Sequence, residues 1–332
     1  MKKILYLASA LLMLVSCAGK SDKIQMFTLK GDGDLTVKVT NFGARVVSMC
    51  APDRNGIVAN LVEGHDNIQD YIDAKGNRFY GACVGPVANR IGGASFEIDG
   101  VRYETPKNDN GVNTLHGGEK GLDMLVWDVV QVLPDKIVMK LVHPDGLEGY
   151  PGNVEITATY AVKGNVFSID YLAKTDKTTP VSIAYHPFFN LRGAGCGPLR
   201  GHELMINADY YEPVDSLLIP YGDFAKVEGT PYDFREGKTI NELIYDNNWK
   251  INKLNPSGVE FLCSLYEPLS GRRLEIWSDQ PGLQVYTGES SIVLEAQHHP
   301  DAVNHPDTFG YITITPHMAY TQHTEFHFSV GE

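Results

Sequence analysis

The chain has 332 residues, is 43% hydrophobic and 21% charged, and carries a formal net charge of −13. These values suit a globular protein with ample material for a core and exclude a disordered or low-complexity chain. The acidic balance repels nucleic-acid phosphates and anionic membrane surfaces, so no nucleic-acid partner is expected.

The first residues stand apart. Met1-Lys2-Lys3 is a positive n-region, and ILYLASALLMLVS (4–16) is an apolar run too short to span a bilayer comfortably. It ends in Leu14-Val15-Ser16-Cys17. Small residues just before a cysteine resemble the lipobox of bacterial lipoproteins. That resemblance implies a signal peptide over 1–16, cleavage before Cys17, a lipid on Cys17 and a polar tether over 17–23. The expected location is then outside the cytoplasm, anchored to the bacterial cell envelope on its periplasmic side or at the cell surface. An ordinary secretion signal with an incidental Cys17 is the alternative. Cleavage removes Lys2 and Lys3 and no acid. The lipid, not surface charge, would therefore make the only membrane contact.

Strand signals dominate from residue 24 onward. DLTVKVTNFG (34–43) alternates apolar and polar residues, and ARVVSMCAPDRNG (44–56) is a strand followed by a Pro/Asp/Asn/Gly turn. HDNIQDYIDA (65–74) is at most a short helix. ASFEIDGVRYET (94–105) places two strands around Asp99-Gly100, a hairpin signal. The runs 128–146, 152–175 and 258–279 repeat strand, turn and strand, and 309–330 closes the chain with two more. GKTINELI (237–244) is the other candidate helix. Turns recur about every 8–12 residues, as in a sandwich or barrel, and no linker divides the chain. Residues 24–332 therefore read as one large antiparallel all-β domain.

Cys50, Cys83, Cys196 and Cys263 lack CxxC spacing, which argues against zinc. Cys50, Cys83 and Cys263 lie in apolar strand-like runs and read as free, buried thiols. GAGCGPLRG (193–201) does not fit GxGxxG, and no GxSxG or phosphate loop is present. HHPDAVNHP (298–306) reads as a loop rather than a metal site, and His323 and His327 as a solvated strand face. No metal and no cofactor is expected.

Polar residues recur at the ends of apolar runs: Asn89 and Arg90 in CVGPVANRIGGASF, His116 in NTLHGGEKGLD, His186 in AYHPFFNLRG, Asp246 in IYDNNW, Gln284 in PGLQVYTGE and Glu295 in IVLEAQHHPDAVN. Taken singly, Arg90 fits a structural ion pair, His116 a turn and Asp246 a turn or cap. Glu295 has the strongest individual case, because a charge inside an apolar run is costly to bury unless it has a partner or a task.

The segments GPVANRIGGASFEIDGVRY, NTLHGG, DGLEGYPGN, YHPFFNLRG, PGLQVYTGE and LEAQHHPDAVNHP, in this order, resemble the successive motifs of the galactose mutarotase (aldose 1-epimerase) family. The resemblance runs from about Asn41 to Phe328. It implies a galactose mutarotase-like β-supersandwich, a cofactor-free site, free aldohexoses as substrates and a monomer or weak dimer. By the same resemblance, Glu295 matches the general base, His186 the general acid and His116 a second active-site histidine. Asn89, Arg90, Asp246 and Gln284 match substrate-binding positions. Tyr185 and Pro187 depart from the family pattern around the acid, as do Ile244 and Asn247 around Asp246, where the family usually reads Gly-aromatic-Asp-His and this chain reads Ile244-Tyr245-Asp246-Asn247. These departures are expected to alter the pocket wall.

Mutarotation needs one proton removed from the C1 hydroxyl and one delivered to the ring oxygen, tasks that suit a carboxylate and an imidazole. The expectation is that Glu295 takes the first proton and a protonated His186 gives the second. Glu295 or Asp246 would hold His186 in its charged form. Phe188, Tyr245 and Trp249 are candidates to stack on the sugar, with core packing as the plainer role for Phe188 and Phe189. Two rival functions are a non-catalytic carbohydrate-binding lipoprotein on the same fold and a glycoside hydrolase using Glu295 with Asp246.

Overall fold

A computed structural model describes residues 24–241 and 244–331. The leader, the tether and Cys17 lie outside the described residues.

Alternation builds the main sheet. In Val154–Lys163, residues Val154, Ile156, Ala158, Tyr160 and Val162 are buried while the residues between them are not. Successive side chains of a strand point to opposite faces, so this pattern commits one face to the core. The strand pairs antiparallel with Lys136–His143 on one side and Val166–Thr175 on the other. The sheet has nine strands. In spatial order they are Asp128–Val132, Lys136–His143, Val154–Lys163, Val166–Thr175, Tyr320–Val330, Arg272–Ser278, Glu260–Tyr266, Glu203–Ile206 and Lys238–Thr239.

Among the described residues, two smaller sheets and four two-stranded pairs complete the body. Met26–Lys30, Thr36–Thr40, Arg45–Pro52 and Val58–Asn60 form one in sequence order. The other orders Ala225–Lys226, Tyr210–Tyr211, Asp246–Lys250, Gly282–Thr287 and Ile292–Gln297. One apolar cluster joins all three sheets, through residues such as Val37, Val39, Tyr160, Phe167, Val285, Leu294 and Phe326. Burying each such side chain contributes about 1.5–3 kcal/mol before entropy is counted.

Local signals hold up where they are local. Ser95–Ile98 and Val101–Glu104 pair around Asp99-Gly100, and Ile68–Ile72 is a short helix capped by Asn67. The helix expected at 237–244 is absent from its described residues. Lys238–Thr239 is instead an edge strand paired with Glu203 and Leu204, because its backbone gains sheet hydrogen bonds that one helical turn does not match. Cys50, Cys83, Cys196 and Cys263 are free thiols; Cys83 and Cys263 are buried, Cys50 is half-buried and Cys196 is exposed.

An ionic knot fixes the segment that becomes one wall of the pocket. Arg45 is fully buried, and its guanidinium donates to the carbonyls of Arg78 at 2.8 Å, Tyr80 at 3.0 Å and Asp123 at 2.9 Å. Arg78 donates to both carboxylate oxygens of the buried Asp123, at 2.7 and 2.9 Å. The Arg78 guanidinium also lies 5.2 Å from the centroid of Phe79. Replacing Asp123 by Ala leaves the buried Arg45 charge without a counter-ion, a loss that costs about 3–5 kcal/mol. Urea unfolding of Asp123→Ala should show a drop of that size.

Candidate active site

Register brings the carboxylates and amides to one face. In the five-stranded sheet Glu295 lies opposite Gln284, and Gln284 lies opposite Asn248. Asp246 is two residues from Asn248, so it points the same way. Ile292–Gln297 is buried along its whole length. Ile292, Leu294 and Ala296 enter the core, which leaves Glu295 on the opposite face, 2% exposed.

The histidines arrive from two other elements. Ala184–His186 pairs with Ala82–Val84, placing His186 beside Ala82 and Tyr185 beside Cys83. Alternation sends His186 toward the pocket and Tyr185 into the core, against Phe326 at 5.4 Å and Phe167 at 6.4 Å. His116 follows Thr114–Leu115, whose partner strand is Arg90–Ile91. His116 and Asn89 both adopt left-handed backbone, with φ of 50° and 60°. That conformation costs a non-glycine residue free energy and is typical of functional sites. A reciprocal pair holds the two. The His116 amide donates to the Asn89 carbonyl at 3.0 Å, and the Asn89 amide donates to His116 Nδ1 at 3.1 Å. Gly117 then allows the chain to pass the Gly85 carbonyl, because a Cβ there would sit 2.0 Å from that oxygen.

The pocket is lined by Asn77, Phe79, Asn89, Arg90, Leu115, His116, His186, Phe188, Asp246, Tyr286 and Glu295. Six of the seven residues singled out in the sequence therefore share it. The seventh, Gln284, sits behind the wall and donates from Nε2 to Asp246 Oδ1 at 2.7 Å. Arg90 is a hub: Nε donates to Asp109 at 3.0 Å and NH1 lies 3.5 Å from Asp246. His186 Nε2 is 3.9 Å from Glu295 Oε2. The His186 ring packs against both Phe79 and Phe188, with centroids at 5.7 and 5.0 Å and interplanar angles of 30° to each.

Burial sets the electrostatics. It pushes the Glu295 carboxyl well above its usual range; the Asp246 charge adds to this and Arg90 opposes it. Burial also raises Asp246, against the pull of Arg90 and Gln284. The His186 imidazole falls to about 3, again through burial, with its own backbone carbonyl opposing and Arg45 adding. His116 is lowered as well, first by burial and then by His186, Arg90 and Arg78. Burial thus works against the charged His186 expected beside Glu295 and Asp246, and it favours the protonated form of Glu295.

Two further expectations change. Trp249 is fully buried, with its indole N–H donating to the Tyr232 carbonyl, and Tyr245 packs on Phe234 at 5.3 Å. Neither lines the pocket; of the three stacking candidates only Phe188 does. Tyr185 and Pro187 are also missing from the lining, so these two departures from the family pattern do not form the wall. The aromatic wall includes Phe79 and Tyr286 instead; no local signal marked Phe79, while Tyr286 lies two residues from Gln284 on the same strand.

His116, His186 and Glu295 bring one donor atom each within 4.8 Å of one another, a spacing a metal ion would accept. The tautomer argues against it. Because the Asn89 amide donates to Nδ1 of a neutral His116, the ring proton sits on Nε2. His116 therefore offers the pocket an N–H donor. The HHPDAVNHP segment is a loop with a structural task. His299 bonds buried Glu212 at 2.5 Å, and Asp301 accepts from the Gly92 amide while its own amide donates to the Arg90 carbonyl, both at 3.0 Å. On the nine-stranded sheet, His323 and His327 are partly exposed and pair with Asp170 and Glu325.

Comparison with known proteins adds three findings. The family model described as aldose 1-epimerase matches residues 25–327. The galactose mutarotase of Bos taurus is 35% identical, across 93% of this chain and 95% of that protein, and the aldose 1-epimerase of Escherichia coli K12 is 30% identical across 92% and 95%. Among solved structures, an aldose epimerase homologue from C. elegans superposes with a TM-score of 0.86 at 28% identity, covering 93% of this chain and all of that one. Galactose 1-epimerase from Lactobacillus acidophilus gives 0.77 at 27%, covering 93% and 99%.

The low His186 value predicts a spectroscopic result. Nitrogen-15 NMR of the imidazoles between pH 7 and pH 4 should find His186 neutral throughout, since protonation waits until the pH falls to about 3. A midpoint near the ordinary 6.5 would contradict the burial argument.

Proposed function

The chain belongs to the aldose 1-epimerase family, and on that premise we propose that it interconverts the α and β anomers of free aldohexoses such as glucose and galactose by acid–base ring opening. The observation that carries this reading is the His186–Glu295 pair, 3.9 Å apart in a buried aromatic pocket beside Arg90 and Asp246.

The pair holds one proton, which is the number the reaction needs. When a sugar fills the pocket, its hydroxyls donate hydrogen bonds to the Glu295 carboxylate. That favours the charged form and shifts the proton to His186. Glu295 then removes the O1 proton while His186 protonates the ring oxygen. The C1–O5 bond breaks and C1=O1 forms, giving the open-chain aldehyde. Rotation about C1–C2 presents the other face, and the reverse transfers close the ring. At the end the pair again carries one proton, so turnover needs no external acid or base. His116 donates from Nε2 to the substrate near its ring oxygen. Arg90 and Asp246 hold ring hydroxyls, with Gln284 supporting Asp246 from behind, and Asn89 holds His116.

A positioned acid or base typically contributes about 10²–10⁴-fold. Glu295→Gln keeps the shape of the side chain and removes its basicity. It should cut the enzymatic mutarotation of α-galactose, followed by polarimetry, by about that factor while the circular dichroism spectrum stays native. Full activity in this variant excludes Glu295 as the base. No catalysis by the wild type would favour a sugar-holding protein.

We also propose that the mature protein begins at a lipid-modified Cys17, on the strength of the n-region, the short apolar run and Leu14-Val15-Ser16-Cys17. Mass spectrometry of the N-terminal peptide from the native host should find a diacylglyceryl adduct on Cys17. An intact Met1 peptide would rule this out.

A further inference from the structure

The Arg90 guanidinium faces two carboxylates, and only one of them belongs to the pocket wall. Asp246 sits 3.5 Å from NH1, at the outer limit of a hydrogen bond. Asp109 accepts from Nε at 3.0 Å and stands outside the lining. Both ends of the Arg90–Asp109 pair are nearly dry, with side chains 11% and 12% exposed. Charge-assisted bonds in such surroundings are stronger than exposed ones.

The loop around Asp109 is built to hold it still. The Asp109 amide donates to the Asn113 carbonyl, and the amides of Val112 and Asn113 both donate back to the Asp109 carbonyl, all at 3.0 Å. The Asn108 side chain zips the loop to Leu115 in both directions, donating to its carbonyl at 2.9 Å and accepting from its amide at 2.8 Å. Leu115 pairs with Arg90 and precedes His116. One rigid loop therefore carries both a pocket histidine and the carboxylate that grips the pocket arginine.

We propose that Asp109 is a positioning residue that restrains Arg90 from closing onto Asp246. An arginine and a carboxylate left to themselves form a bidentate pair. Such a pair would consume the donors of Arg90 and the acceptors of Asp246 that a sugar hydroxyl needs. Asp109 takes the Nε edge and holds the guanidinium back. The remaining N–H groups and the second lone pairs of Asp246 stay available. The effect is on substrate affinity, not on the proton transfers, which belong to Glu295 and His186. The inference rests on the proposed sugar-binding roles of Arg90 and Asp246.

The test is a pair of substitutions read two ways. In Asp109→Ala the restraint is gone; KM for galactose should rise about tenfold while kcat stays within about twofold, the pattern of lost uniform binding. Asp109→Asn keeps an acceptor for Nε and should recover most of the affinity. Galactose binding measured by isothermal calorimetry should show the same order of the three proteins. Calorimetry does not depend on turnover, so it still tests the inference if the proposed reaction fails. A KM and a dissociation constant unchanged in Asp109→Ala would overturn the proposal. So would equal losses of kcat and affinity in both variants together with a lowered melting temperature, which would mark Asp109 as structural only.

Discussion

Glu295 is buried in the middle of a strand, and its nearest basic neighbour, His186, is equally dry. A carboxylate in that position has two stable options: to carry a proton, or to be met by donors. The fold leaves both open. Arg90 acts on Glu295 from a distance while being bonded to Asp109 and Asp246, so it biases the carboxyl without capturing it. The remaining lining is imidazole, aromatic, amide or, at Leu115, aliphatic, which adds no competing full charge. The poised state of Glu295 thus depends on desolvation, and desolvation depends on the segments around residues 77–90, 115–116 and 186–188 closing over one face of the five-stranded sheet.

The wall that completes this enclosure is held from behind. Arg45 ties the N-terminal sheet to the carbonyls of residues 78 and 80, and Asp123 binds Arg78. Phe79, between those carbonyls, is thereby set against both His116 and His186. An ion pair in the body of the protein in this way determines where an aromatic ring stands in the pocket. The Asp301 carboxylate does the same for the backbone at Gly92, and so for the strand that carries Arg90.

The parts of this arrangement that were legible in the sequence are local or ordered along the chain. The Asp99-Gly100 hairpin follows from turn chemistry alone. The seven polar site residues could be singled out because each interrupts an apolar run, and the order of the surrounding motifs gave them roles. Phe79 and Asp109 were not legible, since their places depend on pairings with distant segments; Tyr286, two residues from Gln284 on one strand, could have been found by alternation. Tyr185 and Trp249 were misplaced for a simpler reason. Each lies an odd number of residues from a pocket residue on the same strand, Tyr185 one from His186 and Trp249 three from Asp246. Period-two alternation sends such residues to the opposite face. The effect of burial on His186 was not legible, because the Coulomb term is visible in a list of neighbours and burial is not.

The aromatic packing around His186 has a consequence for how motion is divided between protein and substrate. With Phe79 and Phe188 both packed against it, the buried imidazole has little room to swing after a reacting atom. Anomer exchange nevertheless requires something to turn over. In the mechanism proposed above the turning part is the sugar: its C1–C2 bond is the hinge, and the protein is the frame against which the open chain flips. The pocket must then leave room for a short aldehyde to rotate beside His186 and Glu295.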